Sequence, residues 1–280
     1  DYYLGACAIL ALPWLYFLDG ETPLEKDKYA CFLATLFTLG SVFKGIKPYW
    51  NYQCRLGMLT LFVKLFYIPY LTSWAINNTF HQKNLMASFH GDLETVNAFL
   101  VALFIYIDTV IFAFGYMVEA GFLKNKIKSV EPTLLGWVVC LWCYPPFNVF
   151  SFKAFDQPIV SMAHEYPGWV HACMTCLISA LWGIFTWASL ALGFKASNLT
   201  NRGIVASGPY RFARHPAYTA KVAIWIIQGI FFSQFTMGIL LGFVAIYFLR
   251  AWTEERHLSR DPEYLAYKKK VRWMFIPGVV

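Results

Sequence analysis

Apolar residues run along this chain in long stretches broken by short polar segments. A helix needs about 20 mostly apolar residues to cross the hydrocarbon core of a bilayer. Eight stretches are read as spans: residues 2–18, 29–46, 56–76, 95–120, 133–150, 169–194, 217–232 and 235–250. The first is short. The fifth carries Pro145–Pro146 and is expected to kink. Only Ser233 and Gln234 separate the last two, which predicts a tight helical hairpin. Beyond Arg250 the chain turns charged and reads as a polar tail with a short helix near residues 262–270. The expectation is an all-α, polytopic membrane protein of about eight transmembrane helices.

Composition agrees. Apolar residues make up 58% and charged residues 14% of the 280 residues, against about 25% charged in an average soluble domain. Mean hydropathy is +0.48. A disordered chain, a coiled coil and an ordinary soluble domain are excluded. The net charge of +7 is not a nucleic-acid signal, because the basic residues lie between apolar stretches. With eight spans, 18 of the 23 basic residues fall on the side of the two ends. The positive-inside rule makes that side cytoplasmic, so both termini and the polar tail are expected there. The two C-x-x-C pairs, Cys140/Cys143 and Cys173/Cys176, lie in apolar runs without acidic or His neighbours inside the pair, and are read as buried packing.

Polar chemistry concentrates after residue 130. Two domains are therefore expected: 1–130, accessory spans that shape substrate choice, and 131–280, the functional core. The richest stretch is 197–218, SNLTNRGIVASGPYRFARHPAY. The second is 249–267, LRAWTEERHLSRDPEYLAY. The hairpin between them returns the chain to the same membrane face, so the two should meet there. Taken singly, each piece has a structural explanation: Gly208–Pro209 as a turn, Pro216 as a first helical residue, Glu254–Glu255 as a solvated helix end, Trp and Tyr as interfacial anchors. The combination argues for a site of Arg, His, Tyr and paired Glu.

These elements resemble one family. Gly208–Pro209–Tyr210, Arg214–His215–Pro216-x-Tyr218, the hairpin, Glu254–Glu255, Tyr264-x-x-Tyr267–Lys268 and Ile276–Pro277–Gly278 are similar to the isoprenylcysteine carboxyl methyltransferase-like group of integral membrane methyltransferases. The likeness covers roughly residues 197–280. Phospholipid N-methyltransferases share its R-H-P-x-Y and E-E elements. The resemblance implies S-adenosyl-L-methionine (SAM) as methyl donor, bound at the cytoplasmic face, and a lipidic or lipid-modified acceptor entering from the bilayer. A prenylcysteine carboxylate, a phospholipid amine and a small isoprenoid all fit. On this reading Arg214, His215 and Glu255 are the catalytic candidates. Arg214 and His215 hold the SAM carboxylate, Glu254 or Glu255 accepts from the ribose hydroxyls or ammonium, and Tyr210, Tyr218 and Trp252 line the adenine pocket. Asn198, Arg202, Gly208, Pro209 and Pro216 complete the cofactor set.

Two other readings stay open. The run from Glu131–Pro132–Thr133 to Pro145–Pro146–Phe147–Asn148 resembles intramembrane sterol reductases, which implies NADPH and a proton donor inside the membrane. Asp108 and Lys64 are the ionisable residues well inside spans, where charge is a functional hypothesis by default. The alternative for Asp108 is a hydrogen bond to a neighbouring helix, and Glu119 is either a portal residue or an interfacial charge. A non-enzymatic transporter or scaffold is the third reading, although its polar residues would be expected in both halves. No metal is expected: His81, His90, His164 and His171 form no ligand spacing. There is no G-x-G-x-x-G, Walker or G-x-S-x-G motif.

Overall fold

The computed structural model describes residues 27–39, 51–149, 166–232 and 237–279. Among the described residues eight α-helices follow one another: α1 (Lys28–Leu39), α2 (Tyr52–Ala87), α3 (Leu93–Met117), α4 (Leu134–Leu141), α5 (Gly168–Leu192), α6 (Pro216–Phe232), α7 (Met237–Leu258) and α8 (Pro262–Lys270). A two-residue strand β1 (Ser129–Val130) pairs antiparallel with β2 (Thr200–Asn201), Ser129 opposite Asn201. Local chemistry sets several starts. Asn51 caps α2 by accepting from the Cys54 N–H at 2.8 Å, and Asp92 caps α3 through Thr95 at 2.7 Å. Pro216 and Pro262 stand at first-turn positions, where a missing N–H costs nothing.

The chain is all-α and multi-pass, but the expectation of eight spans is wrong. Among the described residues four helices are long and apolar enough to cross a membrane: α2, α3, α7, and α5 with its 3₁₀ extension to Lys195. The apolar pattern overcounts because hydropathy does not report where a helix stops. The stretch 133–150 forms a helix of only 8 residues before the chain turns ahead of Pro145–Pro146. At 1.5 Å per residue that covers about 12 Å. Of the stretch 29–46, the described part is the 12-residue α1. Helix α6, at 17 residues, is a shorter apolar helix. The first candidate, residues 2–18, lies outside the described residues, as do Ser233 and Gln234. Helix α2 is instead longer than expected, at 36 residues.

The helices pack in a ring. Helix α2 lies against α1 and α3, α3 against α5, α5 against α6, α6 against α7, and α7 against α4. Cys140 of α4 then reaches back to α2, its sulfur 3.2 Å from the Tyr67 hydroxyl. Tyr67 stacks on Tyr116 of α3 at 4.9 Å, and Tyr144 meets Tyr67 edge-on at 5.3 Å. Where α1 crosses α2, a side chain on Gly57 would stand 2.1 Å from the Lys28 carbonyl oxygen. Cys31 and Cys54 are joined across the same contact. Of the two C-x-x-C pairs, Cys140 is buried as expected and Cys143 half-buried, whereas Cys173 and Cys176 are exposed on α5, against the expectation.

Of the three charges singled out in the N-terminal half, Lys64 and Glu119 pair with each other. Glu119 is buried beyond the end of α3, with the Lys64 ammonium 3.1 Å away and Lys28 bonded to its other oxygen. Tyr29 donates to it at 2.7 Å and the Ile127 N–H at 2.8 Å. Burial pushes the Glu119 carboxyl up, but Lys64, Lys28 and these donors outweigh it and hold it well below the usual carboxylate range.

Candidate functional site: a cavity between the helix ring and the C-terminal tail

A cavity of about 360 Å³ runs through the ring, within the size range of small-molecule sites. Leu71, Trp74, Ile105, Phe112, Trp182 and Phe185 give it apolar wall, with Asp108 and Lys221 among them. The two motif stretches and α8 supply the rest of the polar lining. Asn198, Arg202, Tyr210, Arg214, His215, Tyr218 and Glu254 all line the cavity. Helix periodicity explains the α7 contribution. Tyr247, Arg250, Glu254 and Leu258 recur at three- and four-residue spacing and share the face toward the cavity.

Glu255, one position further round, ties the tail down. Its Oε1 accepts from Arg214 Nε at 2.6 Å and its Oε2 from Lys268 Nζ at 2.6 Å, and His215 Nε2 lies 3.4 Å away. Arg214 also donates to the carbonyls of Val271 at 2.9 Å and Arg272 at 2.5 Å. The N–H groups of Arg214 and His215 bond the carbonyls of Trp273 at 3.0 Å and Met274 at 2.9 Å. Tyr267 donates to the Tyr210 carbonyl at 2.8 Å. Two of the three expected catalytic residues, Arg214 and Glu255, therefore have their polar groups committed to one another and to the tail.

Glu254 and Arg250 face inward. Tyr218 donates to Glu254 at 2.7 Å, and His215 stacks on Tyr218 at 5.2 Å. Arg250 is buried without a carboxylate partner among the described residues. It bonds Asn198 Oδ1 and reaches the Tyr144 hydroxyl at 3.4 Å, with its guanidinium over the rings of Tyr218, Tyr144 and Tyr247. Three buried polar atoms on the cavity wall have no partner, Asn198 Nδ2, Arg202 Nη2 and the Tyr264 hydroxyl, while His215 Nε2 makes no hydrogen bond but lies beside Glu255. Arg202 is otherwise held by the Gly115 carbonyl and lies over the Tyr116 ring. Burial pushes the phenols of Tyr210 and Tyr264 up, so both stay protonated as donors.

Four expected site residues stand elsewhere. Trp252 is exposed, its ring under Arg256, because it sits about 200° round α7 from Arg250. Gly208 and Pro209 build the turn: at φ +58°, Gly208 lies where a Cβ would come 3.0 Å from that of Ala191. Pro216 starts α6. Conversely, Arg250 and Lys221 were read only as cytoplasmic charge, yet both line the cavity. The three- and four-residue spacing of Tyr247, Arg250 and Glu254 was the available signal. Asp108 also faces the cavity, hydrogen-bonded by Ser189 of α5. Among the described residues no three His, Cys, Asp or Glu side chains converge as a metal site.

No curated protein matches the chain. Residues 170–260, which run from α5 past the end of α7 and stop short of Tyr264 and Tyr267, match the isoprenylcysteine carboxyl methyltransferase (ICMT) family.

Proposed function

We propose that this cavity binds SAM and that the protein transfers its methyl group to a lipidic acceptor. The observation that carries this reading is the convergence of both motif stretches on one cavity whose wall is partly polar and partly apolar. The residues suit SAM, which carries a carboxylate, an ammonium, hydroxyls and an aromatic ring. Arg250 is a buried cation lacking an anionic partner, and Glu254 is a carboxylate facing inward. Asn198 and Tyr264 hold unpartnered polar atoms, and Tyr210 and Tyr218 offer aromatic faces.

When bound, SAM supplies an electrophilic methyl on a sulfonium that leaves as a neutral thioether. The protein's own residues do the rest. Arg250, fixed by Asn198 and three aromatic rings, faces a carboxylate without having to reorganise. Glu254, oriented by Tyr218, accepts from ammonium or ribose groups and takes a proton where the acceptor is an amine. Arg214 and Glu255 are positioning residues: they hold the tail across the motif stretches and keep water out. The wall of Leu71, Ile105 and Phe112 matches the apolar part of an acceptor arriving from the bilayer. The face carrying this site is cytoplasmic, by its concentration of Lys and Arg. Residues 1–130 are the accessory part on this reading, and their helices α2 and α3 lend Leu71, Trp74, Ile105 and Phe112 to the cavity wall.

Photo-crosslinking with radiolabelled SAM tests the site. Label is expected in peptides covering 208–218 and 247–267. Label confined to other parts of the chain would reject the assignment.

A further inference from the structure

The cavity wall holds a pair of opposite charges that the methyl-donor site leaves unused. Asp108 of α3 and Lys221 of α6 both line it. Asp108 shares its helix face with Ile105 and Phe112, three and four positions away. Ser189 of α5 donates to Asp108 Oδ1, and Oδ2 carries no hydrogen bond among the described residues. The Lys221 ammonium lies 5.6 Å from the ring of Phe185, 5.5 Å from that of Trp225 and 5.8 Å from that of Tyr247. Ring faces attract a cation but leave its N–H donors unused, and Lys221 has no hydrogen bond or ion pair among the described residues. The two charges attract each other without forming an ion pair. The Tyr247 ring also lies 5.6 Å from the Arg250 guanidinium, so the pair stands one ring away from the cation assigned to the methyl donor.

Opposite charges held apart in a largely apolar wall are costly unless something joins them. A hydroxyl does so with one atom: it donates to the free Asp108 oxygen and accepts from Lys221. A carboxylate or an ammonium would instead add a net charge to a pair that is already balanced. We infer that Asp108, Lys221 and Ser189 form the acceptor subsite, that the acceptor is a phenol with an apolar tail, and that Asp108 is the base for its methylation. The subsite stands on its own geometry, and the methylation step rests on the methyl-transfer reading. Two features favour a phenol over an aliphatic alcohol. Its pKa is about 10, as for tyrosine, so a carboxylate can take its proton as the new bond forms. Trp74, Phe112, Trp182 and Phe185 also give the wall ring faces and edges that suit an aromatic ring. In the step, the phenol O–H bond breaks and the proton passes to Asp108 Oδ2. The oxygen forms a bond to the methyl carbon, and the sulfur keeps the electron pair of the bond that breaks. Lys221 stabilises the negative charge developing on the oxygen, and Ser189 holds the carboxylate in place.

The test titrates the full chain in neutral detergent, by calorimetry, with four ligands that share one ring and one tail: 4-butylphenol, butylbenzene, 4-butylbenzoate and 4-butylbenzylamine. S-adenosylhomocysteine is titrated separately. The phenol is expected to bind at least tenfold more tightly than the other three. Asp108→Asn and Lys221→Met should each weaken it at least fivefold, with S-adenosylhomocysteine affinity held within twofold. The comparison of the four ligands on the wild type needs no variant to fold. With SAM present the wild type should form 4-butylanisole, and Asp108→Asn should lower kcat at least a hundredfold while raising KM only about fivefold. Equal binding of the phenol and butylbenzene, or no effect of either substitution, overturns the subsite. Tighter binding of the benzoate or the benzylamine overturns the hydroxyl assignment in favour of an anionic or a cationic acceptor. Phenol binding with no anisole formed, or with kcat unchanged in Asp108→Asn, overturns the role of Asp108 as base. A phenol preference without S-adenosylhomocysteine binding would strike the methyl-transfer reading and the step, and leave the subsite.

Discussion

Replacing Glu255 with alanine should release the C-terminal tail. The carboxylate holds Arg214 and Lys268 at 2.6 Å each and is itself buried. Lys268 is 42% exposed, so its half of the interaction is screened by water and contributes about 0.2–1 kcal/mol. Arg214 is 8% exposed, and removing the partner of a buried ion costs about 3–5 kcal/mol. Arg214 keeps its bonds to the carbonyls of Val271 and Arg272, which favours the lower end, about 3 kcal/mol. At about 1.4 kcal/mol per tenfold, opening of the tail should become roughly a hundredfold more frequent. Hydrogen exchange of peptides covering residues 262–275 reads this directly, with peptides of α2 and α3 as internal controls. Glu255→Gln should show a smaller effect, because an amide oxygen still accepts from Arg214. S-adenosylhomocysteine affinity should fall in step with tail opening. Unchanged exchange in the tail with lost ligand binding would refute the reasoning, since Glu255 would then be a direct ligand contact.

Three further outcomes follow from the geometry. Glu119→Gln leaves Lys28 and Lys64 buried without their anion and should cost about 3–5 kcal/mol in thermal or denaturant unfolding. Because the folded carboxyl is held below its ordinary value, its contribution is present above about pH 4.3 and lost as the pH falls below it. The variant should therefore lose less stability than the wild type between pH 6 and 3, and parallel acid profiles would contradict the pairing. Gly136→Ala would place a methyl 2.4 Å from Glu131 Cγ, and the resulting displacement should cost about 1–3 kcal/mol, measured by thermal unfolding; a neutral result would mean Glu131 moves freely. Arg250→Lys keeps the charge but loses the planar guanidinium whose Nη2 donates to both Asn198 and the Tyr144 hydroxyl, and should weaken S-adenosylhomocysteine at least tenfold in a binding titration with little change in melting temperature.

The helical, membrane-spanning character was legible in the apolar runs, and so was the meeting of 197–218 with 249–267. The span count was not. Hydropathy counted 133–150 as one crossing, but the helix there ends at Leu141, a stop set by local turn geometry ahead of Pro145–Pro146. Motif residues were found because their types are unusual beside apolar helices; their orientation was not, since neighbouring positions on a helix face different ways. Glu254 faces the cavity, Glu255 the tail and Trp252 the outside, all within one turn of α7. The Lys64–Glu119 pair joins helices 55 positions apart in sequence, and no local pattern announces a contact of that range.

The central claim is that the cavity takes SAM. Isothermal titration of the detergent-purified chain with S-adenosylhomocysteine, and in parallel with NADPH, tests it most directly. The account predicts micromolar binding of S-adenosylhomocysteine alone, lost in Arg250→Leu. Binding of NADPH alone would contradict it and turn attention to Asp108, which faces the same cavity beside Ser189, as a proton donor.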